Sequence, residues 1–254
     1  MLWRLFNKST DAGAAPVEAA VPEGRRVYVV GDIHGRDDLL RALHGMIVED
    51  ANAHPARDRV VVYLGDYVDR GPGSFQVLEM LLRKPLRGFA SVFLRGNHEE
   101  MMLRFLDGPA DPNWLFNGGD ATVASYGVAV CWKDFQPPEL ERLRVRLNDA
   151  VPPEHVAFLE DLRLYHEEGD YAFVHAGLRP GVPIDKQSPR EMVWIRDLFL
   201  RSKADFGKRV VHGHTITTEP EVRHNRIGID TGAFCSGRLT CLVLEGSTTR
   251  FLHT

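Results

Sequence analysis

Six short β-forming runs in this chain end in a turn that carries a residue able to bind a metal or move a proton. Val27–Val30 runs into Gly31-Asp32-Ile33-His34-Gly35, and Val60–Leu64 into Gly65-Asp66-Tyr67-Val68-Asp69-Arg70-Gly71. Ser91–Leu94 runs into Arg95-Gly96-Asn97-His98-Glu99. Later, Ala172-Phe173-Val174 precedes His175, Val210-Val211 precedes His212-Gly213-His214-Thr215, and Ile227-Gly228-Ile229 precedes Asp230-Thr231-Gly232. Polar groups gathered at the carboxyl ends of several strands mark where an α/β sheet places its site. Asp, His and Asn in that position are hard-to-borderline ligands for divalent metals.

These ligand types suit a pair of ions. Asp32 and His34 are one residue apart and can face one pocket. Asp66 ends the next strand, and its two oxygens can bridge cations about 3.5–4 Å apart. One ion could take Asp32, His34 and Asp66, and the other Asp66, Asn97, His175 and His214. Two carboxylates against two divalent cations leave a site that is net positive and suits a phosphate dianion. Such a site also lowers the pKa of a bound water from 15.7 toward about 7, which yields hydroxide at neutral pH.

A departing alkoxide needs a proton, and His98, directly after Asn97, is the candidate acid. It should point to the other side of its loop, toward the leaving group. A nearby carboxylate raises a histidine's pKa, and Asp69 is the expected partner. Arg70, and as a second clamp Arg196, can hold phosphate oxygens with a planar fork of donors. Each residue alone is weak evidence, since Asp after Gly is usually just a turn. Several such coincidences at strand ends in one chain carry the reading. The other seven histidines are read as structural, with His212 the nearest to a further site residue. Arg95 and Glu99 are read as pinning their loop, and Asp230 as structural.

The elements that must position these groups alternate. Strand, turn and helix recur three times up to Leu106, through an aspartate turn twice and then through Gly96-Asn97-His98-Glu99, with helices expected at 37–47, 74–82 and 99–106. That pattern argues for a mostly parallel sheet with helices on its face. From about Asp107 to His166, Gly118-Gly119, Pro137-Pro138 and Pro152-Pro153 punctuate helical segments, which reads as a helical insertion over one side of the site. Strands near 171–174, 209–211, 222–229 and 239–244 then predict a second sheet of mixed direction. Residues 25–254 read as one domain, preceded by a disordered tail over 1–24 that has little to bury.

The bulk properties exclude several classes. With 254 residues and 44% hydrophobic content the chain can build one full core. A net charge of −4 gives no overall pull toward nucleic acid or an anionic membrane, and neither partner is expected. Three cysteines without a C-x-x-C pair argue against a disulfide scaffold or zinc–thiolate site, fit a reducing compartment, and read as small buried apolar residues. No apolar run is long enough to span a bilayer. Met1–Phe6 is too short for a signal-peptide core, and Trp3, Leu5 and Phe6 would make at most a small interfacial anchor. A cytoplasmic location is expected.

The motifs closely resemble those of the phosphoprotein phosphatase family, within the calcineurin-like metallophosphoesterases. GDxHG, GDxVDRG and GNHE stand here as Gly31–Gly35, Gly65–Gly71 and Gly96–Glu99, followed by His175 and by Gly213-His214-Thr215, so that the resemblance spans about residues 27–245. It implies Asp32, His34, Asp66, Asn97, His175 and His214 as metal ligands, His98 with Asp69 as the acid, and Arg70 and Arg196 as phosphate arginines. It also implies the four-layer α/β metallophosphoesterase fold, two packed mixed β-sheets flanked by helices. Two divalent ions follow, with manganese the implied metal; the ligand types also admit iron, zinc or cobalt. Ile216 stands where wider metallophosphoesterases carry a second histidine, and Asn117–Thr122 is similar to the bacterial branch. The expected activity is therefore that of a bacterial-type serine/threonine protein phosphatase, which hydrolyses a phosphoprotein or phosphopeptide with a metal-bridging hydroxide and no phosphoenzyme. The nearest competitor is the symmetrical diadenosine tetraphosphate hydrolase, which is similar around Asp230-Thr231-Gly232 and Gly237–Thr240 but usually lacks the counterpart of Asp69 and has GNHD for GNHE. A phosphopeptide-binding module without activity is the third reading.

Overall fold

The computed structural model describes residues 19–83 and 85–254. In chain order the first half contains β1 (Arg25–Val30), α1 (Asp37–Ala53), β2 (Asp58–Tyr63), α2 (Ser74–Arg83), β3 (Ala90–Phe93) and α3 (Asn97–Asp107). Then come α4 (Pro112–Trp114), a kinked segment at Leu115–Gly119, α5 (Asp120–Ser125), a 3₁₀ turn at Trp132–Phe135, α6 (Glu139–Ala150) and α7 (Pro153–Glu160). The second half has β4 (Tyr165–Glu168), β5 (Tyr171–Val174), α8 (Pro189–Trp194), α9 (Asp197–Leu200) and β6 (Arg209–His212). It closes with β7 (Glu221–Val222), β8 (Arg226–Gly228), α10 (Ala233–Ser236), β9 (Thr240–Glu245) and β10 (Thr248–His253).

Two five-stranded sheets result, in the orders β10-β9-β1-β2-β3 and β4-β5-β6-β8-β7. In the first sheet β1, β2 and β3 are parallel neighbours, while β9 is antiparallel to both β1 and β10. In the second, β5, β6 and β8 are parallel, with β4 and β7 antiparallel at the edges. Alternation of side chains along each strand assigns the faces. Val27, Val29, Val60, Val62, Leu242 and Leu244 meet Tyr171, Phe173, Val211 and Ile227 of the other sheet. Tyr28, Val30, Val61 and Tyr63 face the opposite way, onto Leu40, Leu43 and Ile47 of α1 and Val77 and Leu81 of α2. The outer face of the second sheet is covered by Met192 of α8 and Phe199 of α9, against Val174 and Val210. Helices, sheet, sheet, helices: the four expected layers are present. With both faces covered, the strands read as unbroken apolar runs, as in Val27-Tyr28-Val29-Val30.

Several expectations change. Residues 1–18 of the expected tail, with Trp3, Leu5 and Phe6, lie outside the described residues. Residues 19–24 are docked instead of disordered. The Tyr171 hydroxyl donates to Ala19 O (3.1 Å), Val21 N–H donates to Gly246 O (3.0 Å), and the Val21 side chain is buried between the sheets. Edge strands β4 and β10 were not foreseen, because Tyr-His-Glu-Glu and Thr-Thr-Arg-Phe-Leu-His lack a clean apolar alternation. Of the cysteines only Cys241 is buried; Cys131 and Cys235 are exposed, and all three are free. Helix α3 begins at Asn97, so Asn97 and His98 occupy its first turn and not a loop. Among the described residues no helix is long and apolar enough to cross a membrane.

Candidate metal centre

Asp66 stands at the middle of the strand ends. Its Oδ2 lies 3.5 Å from His34 Nε2 and 3.9 Å from His98 Nε2, while its Oδ1 lies 3.4 Å from His175 Nε2. Two clusters of ligand atoms share it: Asp66, His34 and His98 on one side, and Asp66, His175 and His214 on the other. All five side chains are buried. Asn97 Oδ1 joins the second cluster, 3.1 Å from His175 Nε2. Asp32 reaches the same place from β1, its Oδ2 accepting from His214 N–H at 2.9 Å.

The donor set calls for cations. His175 Nδ1–H donates to Leu64 O at 3.0 Å, which leaves a lone pair on Nε2. Burial also lowers its pKa, and so keeps the ring neutral even though Asp66 opposes this. That lone pair faces Asn97 Oδ1, Asp66 Oδ1 and His214 Nδ1, the last at 3.2 Å. Against the two oxygens, Asn97 Oδ1 and Asp66 Oδ1, the ring nitrogen has no proton to give, and such acceptors repel unless positive charge lies among them. His34 repeats the logic. Its Nδ1–H donates to Val68 O (2.9 Å), burial drives its pKa down to about 3, and its free Nε2 accepts from Arg70 Nη1 at 2.9 Å. The guanidinium thus stands where cationic charge is wanted. Asp32 Oδ1 and His214 Nε2 are buried without any partner, which leaves Asp32 one oxygen to give. Burial, and the neighbouring carboxylates Asp230 and Asp66, push the Asp32 carboxyl well up, so it is a poor lone anion but a good cation ligand. A Cβ on Gly213 would sit 2.0 Å from Asp32 Oδ1, so only glycine leaves the carboxylate its seat. The residues present fit two divalent ions, with Asp66 shared.

Backbone strain marks the same residues. All five non-glycine residues with positive φ among the described ones are His34, Asp66, Asp69, Arg70 and His214, at φ 47–74°. Each such conformation costs on the order of 1–3 kcal/mol, and strain of this kind collects at functional sites. Glu99 secures the Asp66 turn. Its carboxylate accepts from the backbone N–H of Asp66 (2.9 Å), Tyr67 (2.7 Å) and Gly96 (2.9 Å), the pinning role expected of it. Arg95 pins differently, donating to Glu160 O at 2.7 Å and so tying the loop to α7.

His98 and Asp69 are brought together. His98 Nδ1 lies 2.7 Å from Asp69 Oδ2, with both side chains buried. Burial opposes a charge on His98, but Asp66 and then Asp69 outweigh it and raise its pKa. Arg70 Nη2 donates toward His98 Nε2 at 3.1 Å, so this arginine spans His34 and His98. Arg196 lies on the far side, donating to His214 O and Thr215 Oγ1, each at 3.2 Å, with its side chain open to solvent.

Sequence reasoning missed four contributors. Trp114 Nε1–H (2.9 Å) and Thr122 Oγ1–H (2.7 Å) both donate to Asp69. Phe234 packs edge-on to His34 (5.4 Å) and lies under the Arg70 guanidinium at 4.7 Å. Asp230, read as structural, sits beside Asp32, and burial foremost raises its pKa to about 6. Thr122 carried a signal inside the Asn117–Thr122 stretch and Asp230 at its strand end, whereas Trp114 and Phe234 carried none. His212 keeps its structural reading: it packs edge-on against Phe199, in the layer away from the site.

The sequence profile of the calcineurin-like phosphoesterases matches residues 25–235. The chain belongs to this family. Calcineurin-like phosphoesterases are hydrolases, and the two residue clusters that share Asp66 are compatible with a divalent metal site. Among curated proteins, bis(5'-nucleosyl)-tetraphosphatase PrpE [asymmetrical] from Bacillus velezensis is 29% identical, over 84% of this chain and 86% of its own. The protein of the same name from Anoxybacillus flavithermus is 30% identical, over 84% and 88%. Solved structures share the fold. One described as a candidate diadenosine tetraphosphatase is 22% identical with a TM-score of 0.58, covering 94% of this chain and 96% of that one. A cold-active protein tyrosine phosphatase is 18% identical with a TM-score of 0.59, covering 92% and 81%.

Proposed function

We propose that this calcineurin-like phosphoesterase hydrolyses a dinucleoside polyphosphate at an unsymmetrical position, releasing a nucleoside monophosphate and the complementary polyphosphorylated nucleoside. The similarity to asymmetrical tetraphosphatases over 84% of the chain carries this reading. It moves the protein phosphatase, ranked first on motifs, to second place, and replaces the symmetrical hydrolase as the dinucleotide candidate.

Asp32, His34 and Asp66 would hold one divalent ion, and Asp66, Asn97, His175 and His214 the other. Bound there, the ions supply charge neutralisation and a water acidified to near neutrality. The chain's own groups do the rest. Asp66 holds the two ligand clusters together through its separate oxygens. Arg70 and Arg196 flank the strand ends from opposite sides and hold phosphate oxygens between them. When Arg70 turns to a substrate phosphate, His98 Nε2 is freed to carry a proton. Asp69 keeps the ring oriented and charged through Nδ1. That proton passes from Nε2 to the departing oxygen as the P–O bond breaks.

The second reading, a phosphoserine/phosphothreonine protein phosphatase, is favoured by the Asp69–His98 pair itself, because an alkoxide needs a proton more than a nucleotide phosphate does. Product analysis decides. The manganese-loaded enzyme should convert diadenosine tetraphosphate to AMP and ATP with a kcat/KM well above that on phosphoserine and phosphothreonine peptides. Two ADP molecules, or a peptide preference of tenfold or more, would reject the first reading.

A further inference from the structure

An aromatic recess next to Arg70 is not used by the chemistry above. Trp132 is 70% exposed and Phe116 56% exposed, unusual for side chains that bury so much area when they are covered. Phe135, buried in the core, forms the floor, 5.3 Å from Trp132 and 5.0 Å from Phe116 between ring centres. Together with Leu115, Gly118, Asp120 and Val130 they line a depression of about 400 Å³, within the range that holds a small ligand. One wall belongs to the segment Leu115–Gly119, where the chain kinks at Gly118 (φ 101°) between two short helices.

The recess adjoins the phosphate end of the site through Gly118. Gly118 O accepts from Arg70 N–H at 3.0 Å, and a Cβ on Gly118 would lie 2.7 Å from Arg70 Cγ. Its two ends differ in charge. Arg70 is cationic and adjoins His98, the leaving-group side. The far end has aromatic rings and the exposed Asp120 carboxylate, which repels phosphate but accepts from an exocyclic amine. A ligand that fits is anionic at one end and a flat, amine-bearing ring at the other.

We infer that Phe116, Trp132 and Phe135 form a stacking subsite for the purine base of the leaving nucleotide, with its phosphates running back to Arg70. This deepens the dinucleoside polyphosphate reading and rests on it. Base–aromatic stacking lost on alanine substitution corresponds to about tenfold to a hundredfold in affinity.

The test uses the full-length metal-loaded enzyme with Trp132→Ala, Trp132→Phe and Phe116→Ala. Trp132→Ala should raise KM for diadenosine tetraphosphate at least about tenfold and leave kinetics on p-nitrophenyl phosphate unchanged, and Trp132→Phe should restore most of the loss. In equilibrium binding, Trp132→Ala and Phe116→Ala should weaken ATP by a similar factor and leave inorganic tripolyphosphate unaffected. If the wild type cleaves the dinucleotide but Trp132→Ala and Phe116→Ala keep its KM, the subsite is wrong and the proposed function stands. If the wild type does not cleave the dinucleotide, the proposed function falls and the binding comparison decides the subsite. Equal ATP affinity in wild type and Trp132→Ala overturns it, as does a KM penalty confined to phosphopeptides.

Discussion

His98 Nδ1 and Asp69 Oδ2 are 2.7 Å apart in a buried pair, and Asp69 is itself held by Trp114 and Thr122. The carboxylate therefore has one orientation, and the imidazole inherits it. Such a pair is built to keep a proton on a ring that burial alone would strip.

Removing the charge should expose the role. Asp69→Asn is expected to slow turnover of substrates with poor leaving groups by about 10²–10⁴-fold. A p-nitrophenyl ester, whose leaving group departs without a proton, should lose far less. Steady-state rates on the two substrate types check this, with metal content verified for each protein. Equal losses would make Asp69 a structural residue.

Trp114 is expected to act as a positioning residue. Trp114→Phe retains an aromatic ring against Phe105 but deletes the N–H that Asp69 accepts. Asp69 Oδ2 keeps His98 as its other donor, so one hydrogen bond to a charged group is lost, worth about 1.5–3 kcal/mol, and kcat on esters that need the acid should fall about tenfold. The drop should be smaller on p-nitrophenyl phosphate. A lowered Tm with unchanged leaving-group selectivity would reduce Trp114 to a packing role.

A separate carboxylate should govern acid stability. Asp50 accepts from the Tyr28 hydroxyl (2.7 Å) and pairs with Arg250 (2.6 Å), linking α1 to both β1 and β10. Burial would raise its pKa, but Arg250 and Tyr28 prevail and lower it. Because the folded value is depressed, the contribution is complete above the unfolded value of about 4 and is lost as pH falls through the folded one. Asp50→Asn should lower Tm at pH 7, and the gap to wild type should narrow as pH falls below about 4. A gap that stays constant from pH 7 to pH 3 would contradict this.

The metal-ligand pattern was legible in the sequence because its residue types sit where strands stop, and strands announce themselves by apolar runs such as Val60–Leu64. The shared position of Asp66 followed from its place between two other such ends. What surrounds these groups was less legible. Trp114 and Phe234 arrive from short helices, and neither residue type differs from an ordinary core aromatic. Asp230 also ends a strand, but only the pairing of β8 with β6 carries it to Asp32. Asp and His adopt a left-handed backbone more readily than most types, as at His34, Asp66, Asp69 and His214, but neither type requires it, and Arg70 gives no such sign. Partners outside the turns hold it: Glu99 accepts from Asp66 N–H, Ser74 and Thr122 from Asp69 N–H, and Gly118 O from Arg70 N–H.

Two ligand clusters meet on Asp66, so metal stoichiometry is the decisive measurement. Elemental analysis and calorimetric titration with manganese should give two ions per wild-type chain. Asp66→Asn should weaken both sites together and abolish turnover, with Tm measured alongside to show that the fold survives. One ion in a fully active wild-type sample, or an Asp66→Asn enzyme that keeps two ions and its activity, would contradict the shared-carboxylate centre.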